Sequence, residues 1–289
     1  LHLCDRRQRQ MCIRDSSMIG YVFIFFILLL EGIYFTAYNL QNAYPLFGTT
    51  LSAVTFIFLI LVPVLTMKTI AEERKQKTDQ LLLTAPVSVS EIVLGKFLAV
   101  ATVYAIPVLI ICLYPMIMGK YGTVSYAMAY TAVLGFALLG FAQIAVGVFW
   151  SSVTEHPVIA AVVTFIVLFV CYMITGIGSL IPDSSMASLA CYMLLVLLAA
   201  VWIYHMIRNL WIAAVIGIAG EAALAITYVV KSTLFEGSIQ KFLSVFDITS
   251  HFDNFTNGIL DLQGVVYFLS VIIIFLVLTV QTITKRRWN

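Results

Sequence analysis

Six charged residues, Glu72, Glu73, Arg74, Lys75, Lys77 and Asp79, fall within eight positions of a chain that is only 10% charged. Acids and bases at this density can pair with one another or present a charged face to a partner. The apolar triplet Leu81, Leu82 and Leu83 follows at once, and then Pro86. Residues 68–90 therefore read as an amphipathic helix at a membrane interface, ended by Pro86, whose ring blocks helix continuation. Two further acids stand inside apolar runs, where charge is costly. Glu221 lies near the middle of AVIGIAGEAALAITYVV, and Glu31 lies toward the outer end of an earlier run, within expected reach of the interface. An ionisable group in a span is a functional candidate by default. Glu221 is expected either to face a substrate path or to be a hydrogen-bonded packing group.

Catalytic chemistry is sparse. There is no G-x-x-x-x-G-K-[ST] phosphate loop. Gly95-Lys96 and Gly119-Lys120 lack both the upstream glycine and the following hydroxyl residue. Neither H-E-x-x-H nor G-x-S-x-G occurs. His2, His156, His205 and His251 are scattered, so no metal cluster can be argued. Cys4, Cys12, Cys112, Cys171 and Cys191 have no zinc or redox spacing. The chain reads as no enzyme. If ATP drives it, ATP and Mg are held by another polypeptide, and this chain carries no cofactor.

These residues hang on an unusual frame. Of 289 residues, 62% are hydrophobic, well above the share in soluble domains. The excess forms eight long apolar runs, at about 18–38, 50–67, 91–118, 124–151, 157–181, 186–206, 210–230 and 264–284. Each is long enough to cross a hydrocarbon layer of ~30 Å as a helix rising 1.5 Å per residue. Helices satisfy their own backbone groups in lipid, and none of the runs alternates as barrel strands do. The expected fold is all-α and polytopic, with about eight transmembrane helices. Six or seven are possible if the runs around 180–212 pack as a re-entrant pair.

Lys and Arg set the orientation. Lys68, Arg74, Lys75 and Lys77, then Arg208, then Lys285, Arg286 and Arg287 all fall on one side of an eight-span chain. The opposite loops offset Lys120, Lys231 and Lys241 with Asp183, Glu236, Asp247, Asp253 and Asp261. Both termini are therefore expected in the cytoplasm. In the longest outer connection, Phe242, Val245, Phe246, Phe252 and Phe255 recur at three- and four-residue spacings, as in a segment lying along the membrane face. The formal charge of +2 and the lack of a basic stripe argue against nucleic acid.

Residues 1–16, LHLCDRRQRQMCIRDS, differ in composition from everything after them. The run RQRQMCIRDS resembles a translated sequencing adaptor, so the segment is expected to be foreign to the fold. A basic cytoplasmic arm is the other reading. Setting the segment aside leaves 12 basic and 12 acidic residues. Residues 17–289 then read as one membrane domain.

The stretch MKTIAEERKQKTDQLLLTAPVSVSEIVLGKFLA resembles the ABC-2 permease family, specifically its gliding-motility-type branch and the related copper-enzyme-maturation permeases. Glu72, Glu73, Arg74, Lys75, Thr78, Leu81 to Leu83, Pro86, Gly95 and Lys96 occupy the family's positions. Lys77 departs from it, since the family often has Gly before the Thr. IGYVFIFFILLL, AQIAVGVFWSSVTEHPVIAAVVTF and SHFDNFTNGILDLQGVVYFLS are similar to other parts of the family, with His156-Pro157 where Asn-Gln is common.

The resemblance implies a permease subunit of an ATP-driven transporter in the bacterial inner membrane, with export the usual direction. Its implied partners are an ABC ATP-binding subunit, a second permease copy or paralogue, and the lipid bilayer. The charged segment would be the coupling helix that docks on the ATPase, or else a solvated loop. Two readings from other classes remain: an ion- or proton-coupled carrier dependent on Glu221, and a membrane anchor or assembly factor that transports nothing.

Overall fold

A computed structural model describes residues 2–42, 44–78, 88–207 and 210–287. Every regular element among them is helical. In chain order they are α1 (His2–Tyr34), continuing as a wider π-helical stretch Phe35–Gln41, α2 (Phe47–Thr66), α3 (Ala71–Lys75), α4 (Val89–Ile111), α5 (Tyr114–Met118), α6 (Tyr126–Val153), α7 (Pro157–Leu180), α8 (Ser185–Ile207), α9 (Leu210–Val230), α10 (Ser238–Ser244), α11 (Ile248–Thr256) and α12 (Leu262–Arg287). The chain divides into two compact units, Leu1–Phe169 with His251–Asn289, and Val170–Ser250.

Among the described residues, six helical stretches are long and apolar enough to cross a membrane: Met18–Gln41, Phe47–Lys75, Val89–Met118, Tyr126–Val153, Pro157–Ile174 and Leu262–Arg286. The two remaining apolar runs, expected as spans six and seven, are α8 and α9. They run 23 and 21 residues, Ser185–Ile207 and Leu210–Val230, and rise about 32–35 Å. They form an antiparallel hairpin. A Cβ on Gly217 would meet Ala200, and one on Gly220 would meet Val196, so contacts climb one helix as they descend the other. Among the described residues the eight apolar runs are eight helices, with α8 and α9 paired as a hairpin.

The first unit is built around α6. Its apolar side chains are buried nearly all round, from Ala129 and Phe136 to Ile144 and Val148. α2, α4 and α12 pack against it. In lipid, helices gain little from hiding apolar surface from one another, so close approach and interhelical hydrogen bonds must hold them. Gly140 supplies the first: the phenol of Tyr104 on α4 lies where a Cβ would be. From there the Tyr104 hydroxyl donates to the Phe136 carbonyl at 2.7 Å. Phe58 of α2 closes the cluster, 4.8 Å from Phe136 and 5.6 Å from Tyr104 between ring centres. Large apolar side chains on the outer faces of α1 and α4, among them Phe25, Leu98 and Leu109, are exposed, as lipid-facing residues would be.

Glu31 turns toward the neighbouring helices. It follows Phe23 and Ile27 and precedes Phe35 at four-residue intervals on the buried face of α1, and it is itself fully buried. Neither of its oxygens has a hydrogen-bond partner among the described residues.

The second unit holds the hairpin and the start of the outer connection. Phe235 packs edge-on against Tyr192 and Tyr228, with ring centres 6.1 and 5.8 Å away. Gln240 on α10 donates to the Ile181 carbonyl at 3.0 Å. Of the recurring aromatics, Phe242, Val245 and Phe246 are exposed, while Phe252 and Phe255 in the first unit are buried.

Candidate coupling site

The turn after α2 is bolted to its neighbours by side chains far away in sequence. Ser151, fully buried near the end of α6, accepts the Ile70 and Ala71 amide hydrogens, each at 3.1 Å. Its own hydroxyl is donated to the Met67 carbonyl at 3.1 Å. One serine thus satisfies two amides at the start of α3, which a helix start leaves without an internal partner. A capping hydroxyl of this kind contributes about 1 kcal/mol.

Arg74 comes next. It is buried and donates to the Ser152 carbonyl, and its other terminal nitrogen pairs with Glu155 at 3.2 Å. Lys96, on the first turns of α4, donates to the Thr69 carbonyl at 3.0 Å and forms an ion pair with Glu73. Lys68 pairs with Glu72 at 3.4 Å. Arg286, in the last turn of α12, reaches Glu155 at 3.8 Å and donates to the Val153 carbonyl at 3.1 Å. Glu72 and Glu73 are therefore each paired with a base, whereas Asp79 lies outside the described residues. The side chains of Lys75 and Lys77 are exposed and form no hydrogen bond or ion pair with another described residue.

The segment is not one long amphipathic helix in its described part. α3 lasts five residues. The chain then turns at Lys77, whose φ of 56° is left-handed. The amides of Lys77 and Thr78 donate back to the Arg74 and Glu73 carbonyls at 3.0 and 2.9 Å, closing the helix end. The family's more usual Gly at this position would take such a φ without strain. The long helix fails here because Ser151 and Arg74 fix the start of α3 on α6, and the carbonyls at its end are satisfied by the turn. Leu81, Leu82, Leu83 and Pro86 lie outside the described residues, as does Arg208. α4 begins with reciprocal capping: the Glu91 amide donates to the Ser88 hydroxyl at 3.3 Å, and the Ser88 amide donates to the Glu91 carboxylate at 3.0 Å.

Of the sequence-marked residues, the fold brings together Glu72, Glu73, Arg74 and Lys96, with Lys75 and Thr78 exposed beside them. Glu221 is not among them. It is half-buried in mid-α9, in the second unit, and its side chain forms no hydrogen bond or ion pair with another described residue. Ser151, Ser152, Glu155 and Arg286 complete the site. The first three lie in the SSVTEHP stretch, marked in the sequence only by its family likeness. Among the described residues no three or more His, Cys, Asp or Glu stand together as a metal site.

No curated protein matches this chain. No solved structure matches it. The sequence profile of the ABC-2 family transporter proteins matches residues 8–286, taking in residues 8–16 as well as the anchored turn after α2 and all six long helices. With that span of agreement on a bundle of membrane-length helices, the chain belongs to the ABC-2 transporter family.

Proposed function

We propose that this membrane-embedded permease is driven by a separate ATP-binding subunit that docks at the turn after α2, and that it works as an exporter. Family membership implies pairing with an ATP-binding cassette subunit. The observation that carries the finer reading is the anchoring of α3. A partner pressing on an ordinary solvated loop would move only the loop. Here α3 is held to α6 through Ser151 and Arg74, and its flanking residues to α4 through Lys96. Force applied at Lys75 to Pro86 would be delivered to the helix at the centre of the bundle. Two permease halves, identical or paralogous, would alternate a path between them, with ATP and Mg on the partner subunits.

In this reading the basic end faces the cytoplasm of a bacterial inner membrane, and both termini lie there. Glu221 remains the candidate polar group on the path. The gliding-motility-type assignment rests on the text of residues 67–99 alone.

The orientation is testable without knowing the substrate. Single cysteines at positions 77 and 121, in a chain whose own cysteines are replaced by serine, should label differently in intact cells. Lys77 and Tyr121 are both exposed, so either site can react. A membrane-impermeant maleimide is expected to label position 121 and spare position 77. Labelling of position 77 from outside would put the turn where no cytoplasmic ATPase reaches it, and the proposal would fail.

A further inference from the structure

The charged segment does not contain the residue on which its anchoring converges. Glu155 sits in the turn between α6 and α7 and offers a single oxygen to two arginines from different elements. Arg74 of α3 is 3.2 Å from it, and Arg286 at the end of α12 is 3.8 Å away. Each guanidinium has a second hold on the last turn of α6: Arg74 on the Ser152 carbonyl and Arg286 on the Val153 carbonyl. These carbonyls are among those a helix end leaves without internal partners, at the negative end of its dipole. Three elements thus meet on one helix end. A single carboxylate offsets two positive charges that would otherwise repel each other there.

The two arms differ. The Arg74 side chain is only 5% exposed, that of Arg286 is 44% exposed and that of Glu155 66%. Arg74 cannot leave without taking α3 with it, whereas Arg286 can swing into solvent. The junction is therefore fixed on the α3 side and releasable on the α12 side.

We propose that Glu155 is a positioning residue for coupling, which makes α3, the end of α6 and the end of α12 move together when the ATP-binding subunit presses on α3. The inference rests on the functional reading above. Nothing in it requires Glu155 to touch the partner. Replacing it should therefore leave docking intact and weaken what docking achieves, a split that a merely stabilising residue would not produce.

The test uses the full chain reconstituted in vesicles with its cognate ATP-binding subunit. It compares the partner retained on purification with the stimulation of ATP turnover by the permease. Glu155→Gln is expected to retain the partner and lose stimulation by roughly five- to tenfold, within the range for residues that link two sites. Glu155→Asp, which keeps the charge, should restore most of it. If Glu155→Gln proves poorly inserted, Arg286→Gln, which removes only the exposed arm, decides: it must lose stimulation while retaining the partner. Wild-type stimulation in whichever of these two variants is well inserted overturns the proposal. So does an equal loss of partner and stimulation, or a failure of Glu155→Asp to rescue. If the unaltered chain neither retains nor stimulates the subunit, the functional reading falls and this inference falls with it. If the unaltered chain does both, a failure belongs to Glu155 alone.

Discussion

Gly140→Val is expected to remove most of the folded, monodisperse protein recovered in detergent. The phenol of Tyr104 occupies the place of the missing Cβ, and that phenol is fully buried between α2, α4 and α6. Valine must push it out. Over-packing of this kind costs about 1–3 kcal/mol. Displacing the hydroxyl also breaks its bond to the Phe136 carbonyl, and a buried hydroxyl left unpaired costs about 1–3 kcal/mol more. Together these are a large part of an ordinary folding stability of about 5–15 kcal/mol. Gly95→Ala on α4 is the control, because a Cβ there meets open space; it should behave as wild type. An unchanged melting midpoint for Gly140→Val would mean that α4 and α6 do not approach as described.

The double replacement Glu72→Lys with Glu73→Lys is expected to act in the opposite way, sparing the fold and abolishing coupled ATP turnover. The pairs Lys68–Glu72 and Glu73–Lys96 are partly exposed. Such pairs contribute about 0–1 kcal/mol each, too little to threaten insertion. Reversal does more than delete them. It sets the new ammonium groups against Lys68 and against Lys96, which also holds the Thr69 carbonyl. The tether between the turn and α4 becomes a repulsion, and the docking geometry is disfavoured. Ser151 and Arg74 still hold α3 to α6, so the turn should be displaced on its α4 side and not lost. Wild-type stimulation of the partner by this double variant would mean that the turn plays no part in coupling.

The helices were legible because each is a long apolar run with polar ends. The run expected at 124–151 is α6 at Tyr126–Val153, and that at 186–206 is α8 at Ser185–Ile207. What the runs could not tell is which face each helix buries. α6 is apolar nearly all round, so its central place depends on neighbours it meets only in the fold. Glu31 did carry a signal: Phe23, Ile27 and Phe35 stand at four-residue intervals with it on one face of α1. Depth in a run marks distance along the membrane normal, whereas burial depends on the facing helices.

The charged segment was legible as a place, but its ion pairs were not. Its acids look free in sequence because the nearest bases share the segment. In the fold Glu73 meets Lys96, and Arg74 meets Glu155. Local rules for charge pairs reach three or four residues and do not bridge such separations. The short α3 has the same origin. An amphipathic pattern favours a helix over 68–90, but in the described residues Ser151 and Arg74 fix its first turn on α6 and a left-handed Lys77 closes it.

The account stands or falls on whether this chain governs ATP hydrolysis on another one. The direct measurement is ATP turnover by the cognate ATP-binding subunit in vesicles, with and without this permease, together with their co-purification. The account predicts a stable complex, turnover stimulated by the permease, and loss of that stimulation in the Glu72→Lys, Glu73→Lys variant. An ATP-binding subunit that neither binds this chain nor changes its turnover in its presence would contradict it.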